Sequence, residues 1–283
     1  VTVHALASVS PSAEIGREVR IGPFCVVESG VSLGDGCVLE GNVVIKEGTT
    51  LGPDNHVFEG AVLGGLPQHA REPDRPGRTV IGSHNTIREY VTIHRALDGE
   101  AQTIVGDGNF IMAGAHVAHD CRVGNHTIIT NSVLLGGHVS VEDRAYVSGA
   151  VAVHQFCRIG TLAMVGGHAR VVQDVPPYVM IDGTSGLVVG LNQVGLRRAG
   201  FSRETIRELK AAYRLIYREF HSWAEVLERL SREFAAEPAA AFHRFLSTTK
   251  RGIVSARQVP RGATIKLRRE PEDDLPALRA KAG

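Results

Sequence analysis

The sequence predicts a left-handed parallel β-helix, an all-β solenoid of six-residue repeats, followed by a smaller α-helical domain. Three observations carry that prediction: an aliphatic residue at nearly every sixth position from Val3 to Val171, a small residue four places after it, and a change to helical periodicity beyond residue 200. The composition agrees. In 283 residues there are 32 glycines and only 5% aromatics, which suits a repetitive core better than a compact α/β one.

The frame runs Val3, Val9, Ile15, Ile21 and onward to Leu63, resumes over Ile81, Ile87 and Ile93, and continues from Val105 to Val171. Of its 29 positions 26 are aliphatic, the exceptions being His69, Arg75 and Gly99. Neither the helix period nor simple strand alternation gives a strict six. Three short strands per triangular coil do, with each aliphatic side chain turned to the axis. About nine coils at roughly 4.8 Å each make a prism of about 40 Å. The residue after the aliphatic one is often glycine, as at Gly16, Gly34, Gly82 and Gly160, read here as a corner with unusual dihedrals. Four places after it come small residues, among them all four cysteines: Cys25, Cys37, Cys121 and Cys157. They read as wall residues of the core in a reducing compartment rather than as disulfides or metal ligands.

Residues 1–175 are thus assigned to the β-helix, with Pro- and Arg-rich residues 66–80 and Asp-Gly-containing residues 95–104 leaving it as loops. Binding tends to sit on loops raised from a rigid scaffold. Pro176 and Pro177 open a connection, 176–200. Residues 201–250 carry amphipathic helical patterns, with Ser222 and Glu225 spaced as a capping box. The tail, 251–283, mixes charge and proline without a period and reads as partly disordered.

Lysine and arginine number 31 against 30 acidic residues, which argues against a general nucleic-acid binder. No apolar run is long enough for a membrane span, and the N-terminus lacks the pattern of a signal peptide. A cytoplasmic protein is expected, and no cofactor is.

The chemistry concentrates in histidines. Seven of the 13 lie between His94 and His168. Residues 18 apart stack in such a prism, so the segment AHVAHDC sets His116, His119 and Asp120 beside His138 and Gly137 of the next coil, with His154 one coil beyond. One reading is a histidine base oriented by a carboxylate. Others are surface histidines without a role and a zinc site, although the HxxHD spacing lacks the i, i+4 pair of a helical zinc motif and no metal is expected. Without a GxSxG motif, direct transfer between two bound substrates is favoured over a covalent acyl-enzyme.

The repeats together with AHVAHDC, GGHVSV, AVHQF, MVGG, QDVPPYV and GLNQVGLRRAGFSRE closely resemble the bacterial UDP-N-acetylglucosamine O-acyltransferases of the first step of lipid A biosynthesis, over residues 3–250. The resemblance implies a homotrimer with active sites between subunits, moving a 3-hydroxyacyl group from acyl carrier protein to the 3-hydroxyl of a UDP-amino sugar. It implies His119 as general base, Asp120 as its orienting carboxylate and the Gly137 N–H as oxyanion donor. His116, His138 and His154 would line the sugar and thioester, while Gln155, Asn192 and Arg198 would hold the nucleotide. Gly167 would set acyl-chain length, and its lack of a side chain implies a longer chain.

Two departures from the family pattern bear on the sugar. The loop segment PQHAR, with Gln68, His69 and Arg71 as substrate-binding candidates, carries His69 where the family usually has Asp and Arg71 where it has Lys. Ala199 replaces the second basic residue of a pair. Two alternatives stay open: an acyltransferase forming an amide on an amino sugar, and a non-catalytic or metal-binding hexapeptide protein. The related N-acyltransferases usually carry a domain ahead of their repeats, whereas here the repeats begin at Val3.

Overall fold

The computed structural model describes residues 1–71 and 73–257. Strands of mostly two residues wind into a left-handed parallel β-helix whose three faces are sheets of 11, 9 and 8 strands. The chain visits the first, second and third sheet in turn, so the prism has a first-to-second, a second-to-third and a third-to-first corner. Leu33 pairs with Leu51, Leu51 with Ile81 and Ile81 with Val105. The two spacings longer than 18 mark the loops, and both loops leave from the second-to-third corner. They are shorter than expected, because strands Arg78–Ile81 and Gln102–Val105 already belong to the third sheet.

The aliphatic hexad residues are buried along the axis from Ile21 onward, and the four cysteines are free and buried among them. The small position also holds three asparagines. Asn55, Asn85 and Asn109 are each 1% exposed and stack one per coil. Asn85 donates its backbone and side-chain N–H to Asn55 Oδ1, the Asn109 N–H donates to Asn85 Oδ1, and Thr127 donates to Asn109 Oδ1. This ladder satisfies most of the polar groups that burial would otherwise leave at a cost, with Asn109 Nδ2 left without a partner among the described residues.

The glycines after the aliphatic residue serve a different end from the one expected. The left-handed backbone falls two positions later, at residues such as Asp54, His84, Asp120 and His138. Gly34 is instead needed for close approach, since a Cβ there would lie 2.5 Å from the carbonyl carbon of Gly52.

Residues 176–200 are more than a connection. Val179–Ile181 adds to the first sheet in parallel, Val188–Leu191 returns antiparallel to it, and helix α1 spans Gln193–Arg198. Helices α2 (Arg203–Tyr217), α3 (Trp223–Glu233) and α4 (Ala240–Ser247) follow, with Ser222 and Glu225 forming a capping box on α3. Buried Asp174 fastens this part to the prism, accepting from the Arg158 side chain and Thr249 Oγ1, while Arg158 also donates to the Phe245 carbonyl of α4. Of the tail, residues 251–257 return to the prism, where Ile253 bridges to Asp174 and Ala256 to Val188. The remainder, 258–283, lies outside the described residues.

Candidate active site

Val117 and Cys121 point to the axis and are fully buried, which fixes the corner between them and turns His119 and Asp120 outward beneath the two loops. Asp120 takes a left-handed backbone, φ 60°, a conformation Asp, Asn and His adopt more readily than most. His119 Nδ1–H donates to Asp120 Oδ2 at 2.7 Å, and both side chains are largely shielded from solvent. A carboxylate only accepts, so this bond places the proton on Nδ1 and leaves Nε2 as the basic nitrogen.

The stacking expected from the 18-residue coil is present. A Cβ on Gly137 would fall 2.6 Å from His119 Nε2, so Gly137 lies directly against the basic nitrogen. Among the described residues its N–H has no protein acceptor. His138 Nε2 stands 3.7 Å from Asp120 Oδ2. Its ring stacks on Phe156 of the following coil at 4.5 Å and 7° between planes. The exposed His69 of the first loop sets its ring edge-on to His119, centroids 5.4 Å apart, and Arg71 pairs with Asp98 across the two loops at 2.8 Å. Gln68 is exposed beside it.

His116 lies on the outward face of the second sheet, its Nδ1 2.8 Å from Thr92 Oγ1 and its ring 5.0 Å from that of His94. Burial, then the neighbouring imidazoles of His94 and His119, push its pKa down to about 4. Burial depresses His94 in the same direction. His154 and Gln155 are exposed on the same edge, one coil beyond Gly137. A cleft of about 260 Å³ opens on the third-sheet side of Asp120 and His138, between Glu100 and Arg122.

The other sequence-predicted residues lie elsewhere. Asn192 caps α1, accepting from the Gly195 N–H and donating to the carbonyl of Leu162 on the third-to-first corner. Each end of its amide makes one bond, which leaves one N–H and one lone pair over. Arg198 ends the same helix and is exposed. Gly167 sits on the first-to-second corner, where a Cβ would meet Gly149 O at 3.4 Å, an ordinary contact.

Sequence reasoning missed three supports. The Leu97 N–H donates to Asp120 Oδ2 at 3.2 Å and Thr103 Oγ1 accepts from the Asp120 N–H at 2.8 Å; Phe156 backs His138. Phe156 follows His138 by one coil of 18, so the repeat itself signals it. The inserted loop hides the register of Leu97, whereas Thr103 lies past the loop in ordinary register with the Asp120 coil.

His119, Asp120 and His138 bring ligand atoms within 4.8 Å of one another, close enough to hold a metal ion. The 2.7 Å between Nδ1 and Oδ2 is nevertheless a hydrogen bond, tighter than the roughly 3.3 Å that separates two ligands around a tetrahedral zinc. The arrangement is suited to proton transfer.

Residues 174–254 match the family model described as UDP N-acetylglucosamine O-acyltransferase, domain 2, and residues 12–47 and 102–137 match the bacterial transferase hexapeptide model. The chain is 42% identical over 254 residues, 89% of its length and 98% of the relative's, to the acyl-[acyl-carrier-protein]–UDP-N-acetylglucosamine O-acyltransferase of Halorhodospira halophila. It is 45% identical over 253 residues, with the same coverage, to the protein of that name from Thermodesulfovibrio yellowstonii. Among solved structures, the UDP-N-acetylglucosamine acyltransferase of Francisella novicida superposes with a TM-score of 0.87 at 36% identity, covering 90% of this chain and 94% of that one. The enzyme from Bacteroides fragilis gives 0.86 at 36%, covering 89% and 100%.

Proposed function

Because the chain belongs to the family of acyl-[acyl-carrier-protein]–UDP-N-acetylglucosamine O-acyltransferases and is an acyltransferase, we propose that it moves a 3-hydroxyacyl group from acyl carrier protein directly to the 3-hydroxyl of UDP-N-acetylglucosamine, with His119 as the base. The observation that carries this reading is the 2.7 Å bond from His119 Nδ1 to Asp120 Oδ2, which leaves Nε2 basic against Gly137.

In this reading His119 Nε2 takes the proton of the sugar hydroxyl as its oxygen attacks the thioester carbonyl. Asp120 steadies the imidazolium. The carbonyl oxygen becomes an oxyanion, held by the free Gly137 N–H. Collapse of the tetrahedral intermediate breaks the C–S bond, and the imidazolium returns its proton to the departing thiolate of the carrier arm. His116, neutral because it is buried, and His138, stacked on Phe156, fix the sugar, while Gln68, His69, Arg71, His154 and Gln155 line the rim.

The family's nucleotide contacts, Asn192 and Arg198, and its chain-length residue, Gly167, occupy two corners other than that of His119. A site that uses all three corners is assembled between subunits, so we infer a homotrimer. Supporting this, the outward face of the first sheet stacks Phe110, Ile128, Tyr146 and Met164 in register, an apolar stripe of the kind subunit contacts cover. The donor and acceptor set the reaction in the cytoplasm.

The test offers the purified protein 3-hydroxyacyl carrier proteins of several chain lengths with UDP-N-acetylglucosamine or its 3-amino analogue, and reads products by mass spectrometry. Ester from the ordinary sugar is expected, with a long chain preferred. Amide from the amino analogue alone would reassign the acceptor and give His69, in place of the family's Asp, its reason. Gly167→Met should shift preference to shorter chains; an unchanged profile would remove Gly167 from the acyl groove.

A further inference from the structure

Beneath the two loops, on the second-to-third corner, lies a cleft of about 650 Å³ that the proposed transfer does not use. Arg75 and Arg78 from the first loop and the strand after it, and Arg95 from the base of the second loop, line it together with Gly48, Gly99 and Glu47. Three arginines thus line it with one acidic residue. Among the described residues none of the three is ion-paired, and Arg95 Nε is buried with no hydrogen-bond acceptor. Glu28, the other carboxylate that feels Arg95, is already engaged by Lys46 at 2.6 Å and by the Glu47 N–H at 3.0 Å.

Two glycines let the arginine side chains lie close against the backbone at the cleft. Arg95 lies across Gly48, where a Cβ would come 3.4 Å from its Nη1, and the Arg75 stem lies across Gly99, where a Cβ would come 3.3 Å from its Cδ. Gly48 has a left-handed backbone, φ 74°. Arginines lining one open space can present planar guanidinium groups that match the geometry of phosphate oxygens.

We propose that this cleft is an anion site for a phosphoryl dianion, held by Arg75, Arg78 and Arg95. It is separate from the His119 cluster but shares an element with it. The loop that presents Arg95 and Gly99 also presents Leu97, whose N–H holds Asp120 Oδ2, and Asp98, which pairs with Arg71. A dianion bound below therefore steadies the loop that holds the catalytic carboxylate above. The binding claim stands whether or not the chain performs the proposed acyl transfer.

The test is titration calorimetry of the intact protein with inorganic phosphate and, separately, with UDP at constant ionic strength, comparing the native chain with the double variant Arg75→Gln, Arg95→Gln. The native protein should bind phosphate and the variant bind it at least about tenfold more weakly, as expected for loss of two charge-assisted contacts. If UDP binding is unchanged in the variant, the ligand is a free anion; if it falls in parallel, the cleft takes a nucleotide's diphosphate, and either supports the site. Amide exchange at Leu97 should slow when phosphate is added. Unchanged phosphate affinity in the variant overturns the proposal. So does breakdown of the oligomer in size-exclusion chromatography, which would assign these arginines to a subunit contact instead.

Discussion

Asp120 Oδ2 collects the His119 Nδ1–H and the Leu97 N–H, with His138 Nε2 at the edge of reach. In Asp120→Asn an amide oxygen in the place of Oδ2 still accepts from both donors but carries no charge to steady the imidazolium. The amide turned the other way puts NH₂ against His119 and forces its proton onto Nε2, where no base is left. The expected loss is about 10³- to 10⁴-fold in kcat, with KM for the nucleotide sugar little changed; steady-state kinetics decide, and an equal loss through KM would make Asp120 a sugar contact. His116 makes the second residue-scale prediction. Its folded pKa of about 4 lies below the ordinary 6.5, so between those values the unfolded chain binds more protons than the folded one. Stability is then fully present above about pH 6.5 and falls as pH drops toward 4, by on the order of 2–3 kcal/mol from this residue. His94 acts in the same direction. Thermal midpoints measured from pH 7 to 4.5 should fall, and fall less in His116→Gln; identical slopes would show that His116 is not the group responsible.

The coil is the element that repeats, and the asparagine ladder shows how a polar group can replace an aliphatic one without breaking it. Asn85→Val leaves the Asn109 N–H without its acceptor and removes the bond to Asn55 Oδ1. A buried donor left unpaired costs about 1–3 kcal/mol, so the midpoint of urea unfolding should drop with its slope unchanged. A midpoint equal to that of the native chain would mean the ladder adds nothing to apolar packing. The ladder also marks what could be read from the sequence. Hexad residues such as Ile93 and Val117 declare themselves because each is buried for the same reason. Asn55, Asn85 and Asn109 are spaced by 30 and 24 rather than 18, so the loops conceal that they stack. The His119, Asp120, Gly137 and His138 cluster was legible because it lies beyond both loops, where one coil is 18 residues. Leu97 acts through its backbone N–H, which no residue type reveals. The strands at Val179–Ile181 and Val188–Leu191 were hidden because they leave the hexad frame while still adding to its first sheet.

Over the whole molecule, the three corners carry different parts of the proposed site, and this gives an outcome that no single-subunit arrangement can produce. His119 stands on the second-to-third corner, whereas the helix ending in Arg198 is tied to the third-to-first corner through Asn192 and Leu162. If one site takes His119 from one subunit and Arg198 from its neighbour, His119→Ala and Arg198→Ala should each be inactive alone yet complement each other when co-expressed. A closed ring of three subunits containing both variants has one interface where an intact His119 meets an intact Arg198. Random assortment then restores about a quarter of native activity. Ile128→Arg supplies the control, since Ile128 lies outward on the first sheet, opposite the His119 corner, and the variant can reach that histidine only through another subunit. It should dissociate the trimer and abolish transfer while circular dichroism keeps its β signature. Active monomers, or no complementation from folded mixed trimers, would place the whole reaction within one chain, and an active Arg198→Ala would leave Arg198 outside it.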